Sequence, residues 1–452
     1  MASVKIQKSL LARLAAQSKQ LRTFLAHRTR PDVRLQWNSI AELYRASVQQ
    51  AFDSKAPFIV TGAPHAAYYP RNFACFYPDL LDPVTIIDAE DAANRSDLLV
   101  KSVALICSAL KAGVHTTTLV PITSHSIVGI NYFASPSDTL LGLLAALKQL
   151  LAAGDYADGR FAAIYARAAN EGRAIRAAYA QDIAEAVERL ATELVLHHVA
   201  ATGADCLLCD SKRPRSAVTD ARAERARFVT NANVWTTFSW AIDLDFVDLG
   251  AIERKLGRTL QRYKRELFAA FAPNGFVLHS LEPPAPVPSH NISLDFAHIR
   301  NGFWDMNEPG ERSLFRNTAE HILRDPKFWT QDRLLVVSIK RPRERLIHRV
   351  LAPGYQGRNA WPALNVEFAD RLLDLARWEG PRYSAQARSL LRAVVSIVAR
   401  HGGYPELIAP DGAIYRTWGY QSALAHSWFP RFASVAHRTN SQVGAEGRAS
   451  AF

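Results

Sequence analysis

The stretch Gly403-Tyr404-Pro405-Glu406-Leu407, followed by Pro410-Asp411-Gly412 and Tyr420-Gln421-Ser422-Ala423, holds the residue types with most capacity for chemistry. A carboxylate stands between a proline and an apolar side chain. A tight polar turn follows, then aromatic and amide side chains at the mouth of an apolar helix. One charged base in such surroundings suits a sugar-sized ligand. Aromatic faces cover the C–H side of a pyranose ring, while amides and carboxylates bond its hydroxyls.

Other chemistries lack their signatures. The chain has no G-x-S-x-G elbow, no P-loop, no G-x-G-x-x-G after a strand and no H-E-x-x-H. His197 and His198 are neighbours on one helix, so their rings point apart. Cys206 and Cys209 form a C-x-x-C pair without the second pair a structural zinc needs. No metal and no cofactor are expected. The four cysteines, Cys75, Cys107, Cys206 and Cys209, are too sparse for a disulfide scaffold and read as reduced thiols of a cytoplasmic protein.

Helical periodicity dominates the elements that must position these groups. Helices are expected over Asp138–Ala152, Ala174–His198, Asn233–Asp243, Leu249–Phe271, Ala363–Trp378 and Ser384–Arg400. Ser137-Asp138 reads as an N-cap and Trp361-Pro362 as a helix start. Short strands are expected at Pro57–Thr61, Thr116–Pro121, Ile127–Phe133 and Arg333–Ile339. They do not alternate with the helices, which excludes a doubly wound sheet.

The 452 residues, 48% hydrophobic and 21% charged, describe a globular chain able to bury a large core. The reading is one domain over residues 31–439 with an irregular insertion near 280–331. Residues 1–30 form a basic amphipathic helix, with Leu10, Leu11, Leu14 and Leu21, packed on that domain. Residues 440–452 are a disordered tail. No run of about twenty apolar residues exists to span a membrane.

The net charge of +12 admits nucleic acid, a membrane surface or an anionic substrate. Its denser runs, Lys212-Arg213-Pro214-Arg215 and Lys340-Arg341-Pro342-Arg343, do not interleave with stacking aromatics. That argues against a single-strand nucleic-acid groove. A solvated face is the default, and an anionic saccharide is the alternative. Oligomeric state is left open.

Five segments repeat one theme: Tyr68-Tyr69-Pro70-Arg71, Ser135-Pro136-Ser137-Asp138, Thr230-Asn231-Ala232-Asn233, Asn359-Ala360-Trp361-Pro362 and Trp418-Gly419-Tyr420-Gln421. In each, aromatic, amide or charged residues precede an apolar helix. A ring of inner helices offering their N-terminal loops to one shared mouth has this pattern. A generic bundle with aromatic caps has it too. The spacing is too irregular for a solenoid.

These units resemble the six-hairpin glycosidases. The likeness is strongest to neutral invertases and the amylo-glucosidase part of glycogen-debranching enzymes. It rests on Tyr355-Gln356-Gly357-Arg358-Asn359-Ala360-Trp361-Pro362, on Tyr404-Pro405-Glu406-Leu407 with Tyr420-Gln421-Ser422-Ala423, and on Ser137-Asp138-Thr139-Leu140-Leu141. The resemblance implies a mainly α fold, an (α/α)6 toroid with a few short peripheral strands, and an inverting glycoside hydrolase acting on a small or oligomeric saccharide. Such hydrolysis needs a general acid and a general base on opposite faces of the sugar, roughly 6.5–9.5 Å apart.

Glu406 is the candidate base, expected to be partly solvated and hydrogen-bonded so that it stays ionised. Gln421 would help organise the attacking water. Asp220, ahead of Phe228–Trp235, is the candidate acid because the resemblance places the acid at a similar distance before that helix; Asp210 is its rival. Tyr68, Tyr69, Arg71, Asn72, Asp138, Asn233, Trp235, Trp361 and Gln421 are candidates for the sugar pocket. Asn72 stands where such enzymes often carry aspartate, which removes a charge. Two alternatives therefore stay open: a toroid polysaccharide lyase acting on uronic acids, and a non-catalytic sugar-binding relative.

Overall fold

The computed structural model describes residues 5–29, 39–52, 69–70, 72–75, 77–113, 118–123, 126–130, 136–156, 159–192, 226–281, 292–298, 303–339, 344, 346–424, 426 and 428–449. The expected strand Pro57–Thr61 and the residues Tyr68, Arg71, Asp210 and Asp220 lie outside them. Among the described residues the helices are, in chain order, α1 (Leu10–Thr29), α2 (Ile40–Phe52), α3 (Asn72–Cys75), α4 (Ala89–Lys111), α5 (Pro136–Ala152), α6 (Ala162–Ala178), α7 (Ala180–Arg189), α8 (Phe228–Asp243), α9 (Leu249–Leu256), α10 (Leu260–Phe271), α11 (Pro309–Arg324), α12 (Leu346–Leu351), α13 (Pro362–Glu379), α14 (Arg382–His401) and α15 (Phe429–Ala449).

Two kinds of helix alternate along the chain. α5, α8 and α13 are buried almost all round: Leu140 to Leu147, Phe228 to Val234 and Pro362 to Leu373 lie inside without a solvated stripe. A helix that is apolar on every side needs neighbours on every side. α4, α10 and α14 instead have one buried stripe and one polar face.

The packing arranges these two kinds as concentric rings. α3 packs on α5, α5 on α8, α8 on the 3-10 turn Leu294–His298, that turn on α13, and α13 on α15. α15 returns to the turn Pro83–Thr85 that follows α3, closing an inner circuit of six elements. Outside it, α2 touches α4, α4 touches α6 and α7, and α14 comes back to α2. With α10 and α11 this makes six outer positions, each followed in sequence by an inner element. The expected (α/α)6 toroid is what forms.

Buried charge closes the circuit. Arg431 on α15 reaches Asp79 at 2.6 Å in the segment after α3, Glu367 at 2.9 Å on α13 and Asp370 at 2.5 Å on α13. Ser434 donates to Asp82 at 2.8 Å beside it. Burial by itself works against the guanidinium charge, but Asp370, Asp79 and Glu367 outweigh it and hold Arg431 charged. A second buried arginine, Arg95 on α4, bonds Asp91, Thr85 and the hydroxyl of Tyr44 on α2.

Several sequence expectations change. Leu249–Phe271 is two helices, because Gly257 takes the left-handed conformation at φ +66° and Thr259 caps the next helix through its hydroxyl. Ala174–His198 is also interrupted, at Tyr179. The segment 280–331, expected to be irregular, carries α11, started by Glu308 as cap and Pro309 in its first turn. The tail expected over 440–452 continues α15 to Ala449, because the inner circuit ends on this helix. α5 starts at Pro136, so Ser137 and Asp138 lie in its first turn instead of capping it.

Strands are few, as expected. β1 (Lys5–Gln7), β2 (Thr118–Thr123) and β3 (Ser126–Ile130) form a sheet in the order β1-β3-β2. β1 runs parallel to β3, with Lys5 opposite Ser126, and β2 runs antiparallel, with Val120 opposite Val128. β4 (Ala226–Arg227) pairs antiparallel with β5 (Ser280–Leu281) at the entrance to α8. Around Arg333–Ile339 the chain makes single bridges, Trp329–Leu335, Val336–Ala360 and Ser293–Ser338, instead of a strand.

Helix α1 does pack on the body, against β2 and β3, but not through the leucines expected to do so. Ala16, with Ala12 beside it, meets Tyr69, Val120 and Val128, while Leu10, Leu11, Leu14 and Leu21 are exposed. Small side chains let the helix lie close on the strands.

Removing Arg431 should open the ring. Arg431→Met leaves the buried carboxylates of Glu367 and Asp370 and the half-buried one of Asp79 without their shared cation, and a loss of about 3–5 kcal/mol is expected in urea denaturation. An unchanged midpoint would show that closure does not depend on this contact.

Candidate active site

Around the ring the chain passes from an outer helix to an inner element through a connecting segment. Glu406 lies on such a connection, between α14 and α15. The backbone there is a small meander. Ala360 and Ile408 exchange hydrogen bonds of 2.8 and 2.9 Å, Ile408 bridges Ile414, and Arg416 bridges Gln421. Glu406 N–H donates to Ala423 O at 2.9 Å, and Leu407 N–H donates to the Ser422 hydroxyl at 2.7 Å. The Trp428 indole donates to Pro405 O at 3.0 Å and fixes the segment from below.

Gly403 is required by close approach. A methyl group there would lie 2.6 Å from Leu424 O. Without that approach the strand bearing Glu406 would not seat beside residues 421–424.

The Glu406 carboxylate is only 2% exposed. The Tyr355 hydroxyl donates to its Oε1 and the Tyr420 hydroxyl to its Oε2. An ionised carboxylate is an acceptor only, with about four lone-pair sites, so two phenolic donors suit it. The sequence expectation of a partly solvated base is corrected here, since hydrogen bonds from tyrosine take the place of solvent.

The tyrosines are themselves locked. The rings of Tyr355 and Tyr420 meet edge to face at 5.4 Å, and Tyr355 meets Trp361 edge to face at 5.2 Å. The Trp361 indole donates to Tyr355 O at 3.2 Å, and Asn359 holds Gly354 O at 2.6 Å. Tyr415 lies 6.2 Å from Tyr420 and donates to Pro353 O at 2.8 Å. Burial, then the Glu406 charge, push the Tyr420 hydroxyl well above its usual range. Burial does the same to Tyr415, with Glu344 and Glu406 adding to it. Both phenols therefore stay protonated and remain donors.

Of the sequence candidates, Glu406 and Trp361 come together in this cluster. Tyr69, buried beside α3, lies close enough to Tyr420 to add to the upward push on its hydroxyl. Asn72 is buried in the first turn of α3. Gln421 pairs with Arg416 immediately after Tyr420, in a loop eight residues before α15 begins, and not at a helix start as expected.

α8 also starts earlier than expected, at Phe228, which places Asn233 and Trp235 inside it. The Trp235 indole donates to Leu260 O at 3.0 Å and its ring lies under Lys264, so Trp235 is engaged in packing against the outer helix α10. Asn231, one turn before, accepts from Tyr263 of α10. Asn233 is buried two residues on, roughly 200° around the helix and away from that contact. Asp138 lies in the first turn of α5.

Sequence reasoning passed over Tyr355 and Tyr420 as site residues although both stand in the quoted motifs. Tyr420 sits next to Gln421 and Tyr355 six residues before Trp361, but no local rule brings them to one carboxylate across separations of 51 and 14 residues. Among the described residues no group of three or more histidine, cysteine, aspartate and glutamate side chains is placed to hold a metal.

No family model matches the sequence, and no curated protein matches it. Solved structures do match in fold. A metal-independent α-mannosidase from Streptococcus pneumoniae, in a non-productive complex with α-1,6-mannobiose, superposes with a TM-score of 0.51 at 12% identity, over 95% of this chain and 97% of its own. The glucoamylase of Saccharomycopsis fibuligera gives 0.54 at 11% identity, over 92% and 98%. A single-substitution variant of a further glycosidase gives 0.51 at 13%, over 89% and 99%. At these identities the likeness is one of fold, the six-hairpin toroid, across nearly the whole chain.

The buried phenols predict alkaline sensitivity. Below pH 10 they are protonated in both states. Above the ordinary tyrosine value of 10.0 the unfolded chain releases protons that native Tyr404, Tyr415 and Tyr420 retain, so stability falls as pH rises further. Urea midpoints between pH 8 and 11 should decline, with a shallower slope for Tyr420→Phe. Equal slopes would contradict the environment described for Tyr420.

Proposed function

We propose that the protein is an inverting glycoside hydrolase acting on a small or oligomeric saccharide, with Glu406 as general base. The observation that carries this reading is the Glu406 carboxylate at the mouth end of the rings, gripped at both oxygens by Tyr355 and Tyr420. A base that must take a proton from water needs a fixed direction and hydrogen-bond reach of that water. The fold shared with solved glycosidases, one holding a mannobiose, supports a saccharide as substrate.

The acid belongs to the opposite wall. α15, which follows Glu406, is the sixth inner element, and α8 is the third, so the two face each other across the ring. Asp220 and its rival Asp210 precede α8 in sequence. Inner helices packed about 8–10 Å apart put opposite axes of a six-membered ring roughly 16–20 Å apart. Side chains reaching inward from both walls leave a gap of the order an inverting pair requires, roughly 6.5–9.5 Å. A water activated by Glu406 would attack the anomeric carbon while the acid protonates the departing oxygen.

Trp361, Tyr69, Asn72, Asn233 and Gln421, with Tyr68, Arg71 and Asp138, complete the proposed sugar site. Exposed Arg358 and Arg416 flank the Tyr355 and Tyr420 loops and would favour an anionic saccharide. A lyase reading is less well supported, because Tyr355 and Tyr420 are occupied as donors to Glu406. A cytoplasmic setting is part of the proposal, resting on the four sparse cysteines of the sequence.

Glu406→Gln keeps the shape and removes the base, so turnover should fall by about 10²–10⁴-fold while sugar affinity survives. Tyr355→Phe and Tyr420→Phe each remove one hydrogen bond to a charge, worth about 1.5–3 kcal/mol, and should lower kcat by about tenfold to a hundredfold. Reducing-sugar release across a glycan panel reads the first effect, and NMR of the fresh anomer reads inversion. Failure of the unmodified protein to release sugar from neutral or anionic glycans, or full activity in Glu406→Gln, would overturn the proposal.

A further inference from the structure

Helix α1 presents a second, unrelated surface. It is 20 residues long, about 30 Å at 1.5 Å per residue. Its inner face is Ala12, Ala16, Gln20 and His27, with Ala16, Gln20 and His27 all buried. Leu10, Leu11, Leu14, Leu21 and Leu25 are each between 51% and 79% exposed. At 100° per residue these five fall within one arc of about 100°, centred opposite the buried face. The leucines therefore form an outward stripe, interrupted by Ser18, on a helix already anchored from behind.

The borders of the stripe are cationic. Lys8 and Arg22 flank it on one side and Arg13 on the other, all exposed. No acidic residue occurs before Asp32, while Lys5, Lys8, Arg13, Lys19, Arg22, Arg28 and Arg30 all precede it. An apolar stripe whose flanking charges are all cations matches a surface that is apolar in depth and anionic at its face. A second copy of the same helix would bring cations against cations, which disfavours self-pairing.

We propose that α1 is a docking surface for anionic lipid, lying in the plane of a bilayer with its leucines in the acyl boundary and its basic flanks at the headgroups. It lies on the surface and does not cross it: among the described residues no helix is long and apolar enough to span a membrane. Docking through α1 would bring the toroid to a lipid surface without occupying Glu406, and it does not depend on what Glu406 does.

Vesicle flotation of the full chain tests this. Vesicles of phosphatidylcholine with phosphatidylglycerol should capture the protein at low salt, and phosphatidylcholine alone should not. Leu14→Ser with Leu21→Ser should weaken capture by about tenfold or more, and Arg13→Glu with Arg22→Glu should abolish its dependence on phosphatidylglycerol. All four positions are exposed, and an unchanged thermal midpoint in each variant establishes that the fold is intact. Absence of capture at low salt, or capture equal in wild type and the leucine variant, overturns the proposal. So does a dimer in solution that the leucine variant dissolves, because the stripe would then be covered by a second copy.

Discussion

Closing a ring of six helical hairpins requires the last inner helix to find the first, and Arg431 makes that junction. No local preference brings α15 to the segment after α3, more than 300 residues earlier. One guanidinium does so by satisfying Asp79 on the near side and Glu367 and Asp370 on the far side. Buried ions are worth little to stability when replaced together, but a buried ion left alone is very costly. The network therefore acts mainly on specificity: any closure that misplaces α15 strands charge in the interior. Arg371 and Arg438 extend it to Asp374, so the same acids also bind α13 to α15 along its length.

Ring closure then determines what happens at the mouth. The connections before α13 and α15 join there through the Ala360–Ile408 bridge, which brings the Tyr355 loop to Glu406. The carboxylate is rigid for reasons lying on three different segments: Tyr355 held by Trp361, Tyr420 held by the Thr417 turn, and the Glu406 backbone held by Ala423. A carboxylate positioned in this way, in its proposed role as base, would spend little entropy on orientation at the moment of reaction. Its burial is tolerated because both oxygens are satisfied, where an unpaired buried carboxylate would be costly.

The outward face of α1 follows a different logic. Its alanines are used to lie close to β2 and β3, so its larger apolar residues are left outside. Periodicity alone shows an amphipathic helix and suggests that leucines face inward. Which of two apolar faces packs depends on the shape of the surface opposite. A shallow sheet face bearing Val120 and Val128 accepts small side chains more closely than large ones.

How much was legible follows the range of the interactions. The all-round apolar runs of α5 and α13, the Trp361-Pro362 start and the Pro-Glu segment are local, so helix content, several boundaries and Glu406 as candidate base could be read directly. The break at Gly257, the helix α11 and the long α15 were less visible, since caps and a final inner position matter there more than periodicity. Trp235 looked like a pocket residue because its motif did, yet a helix start five residues early turned it toward α10. The residue types and the local helical pattern were the chain's own to declare. The pairing of Tyr355 and Tyr420 on one carboxylate, the closure through Arg431 and the choice of which face of α1 to bury were decided only by the folded ring, because each joins groups whose separation in sequence carries no information about their distance in space.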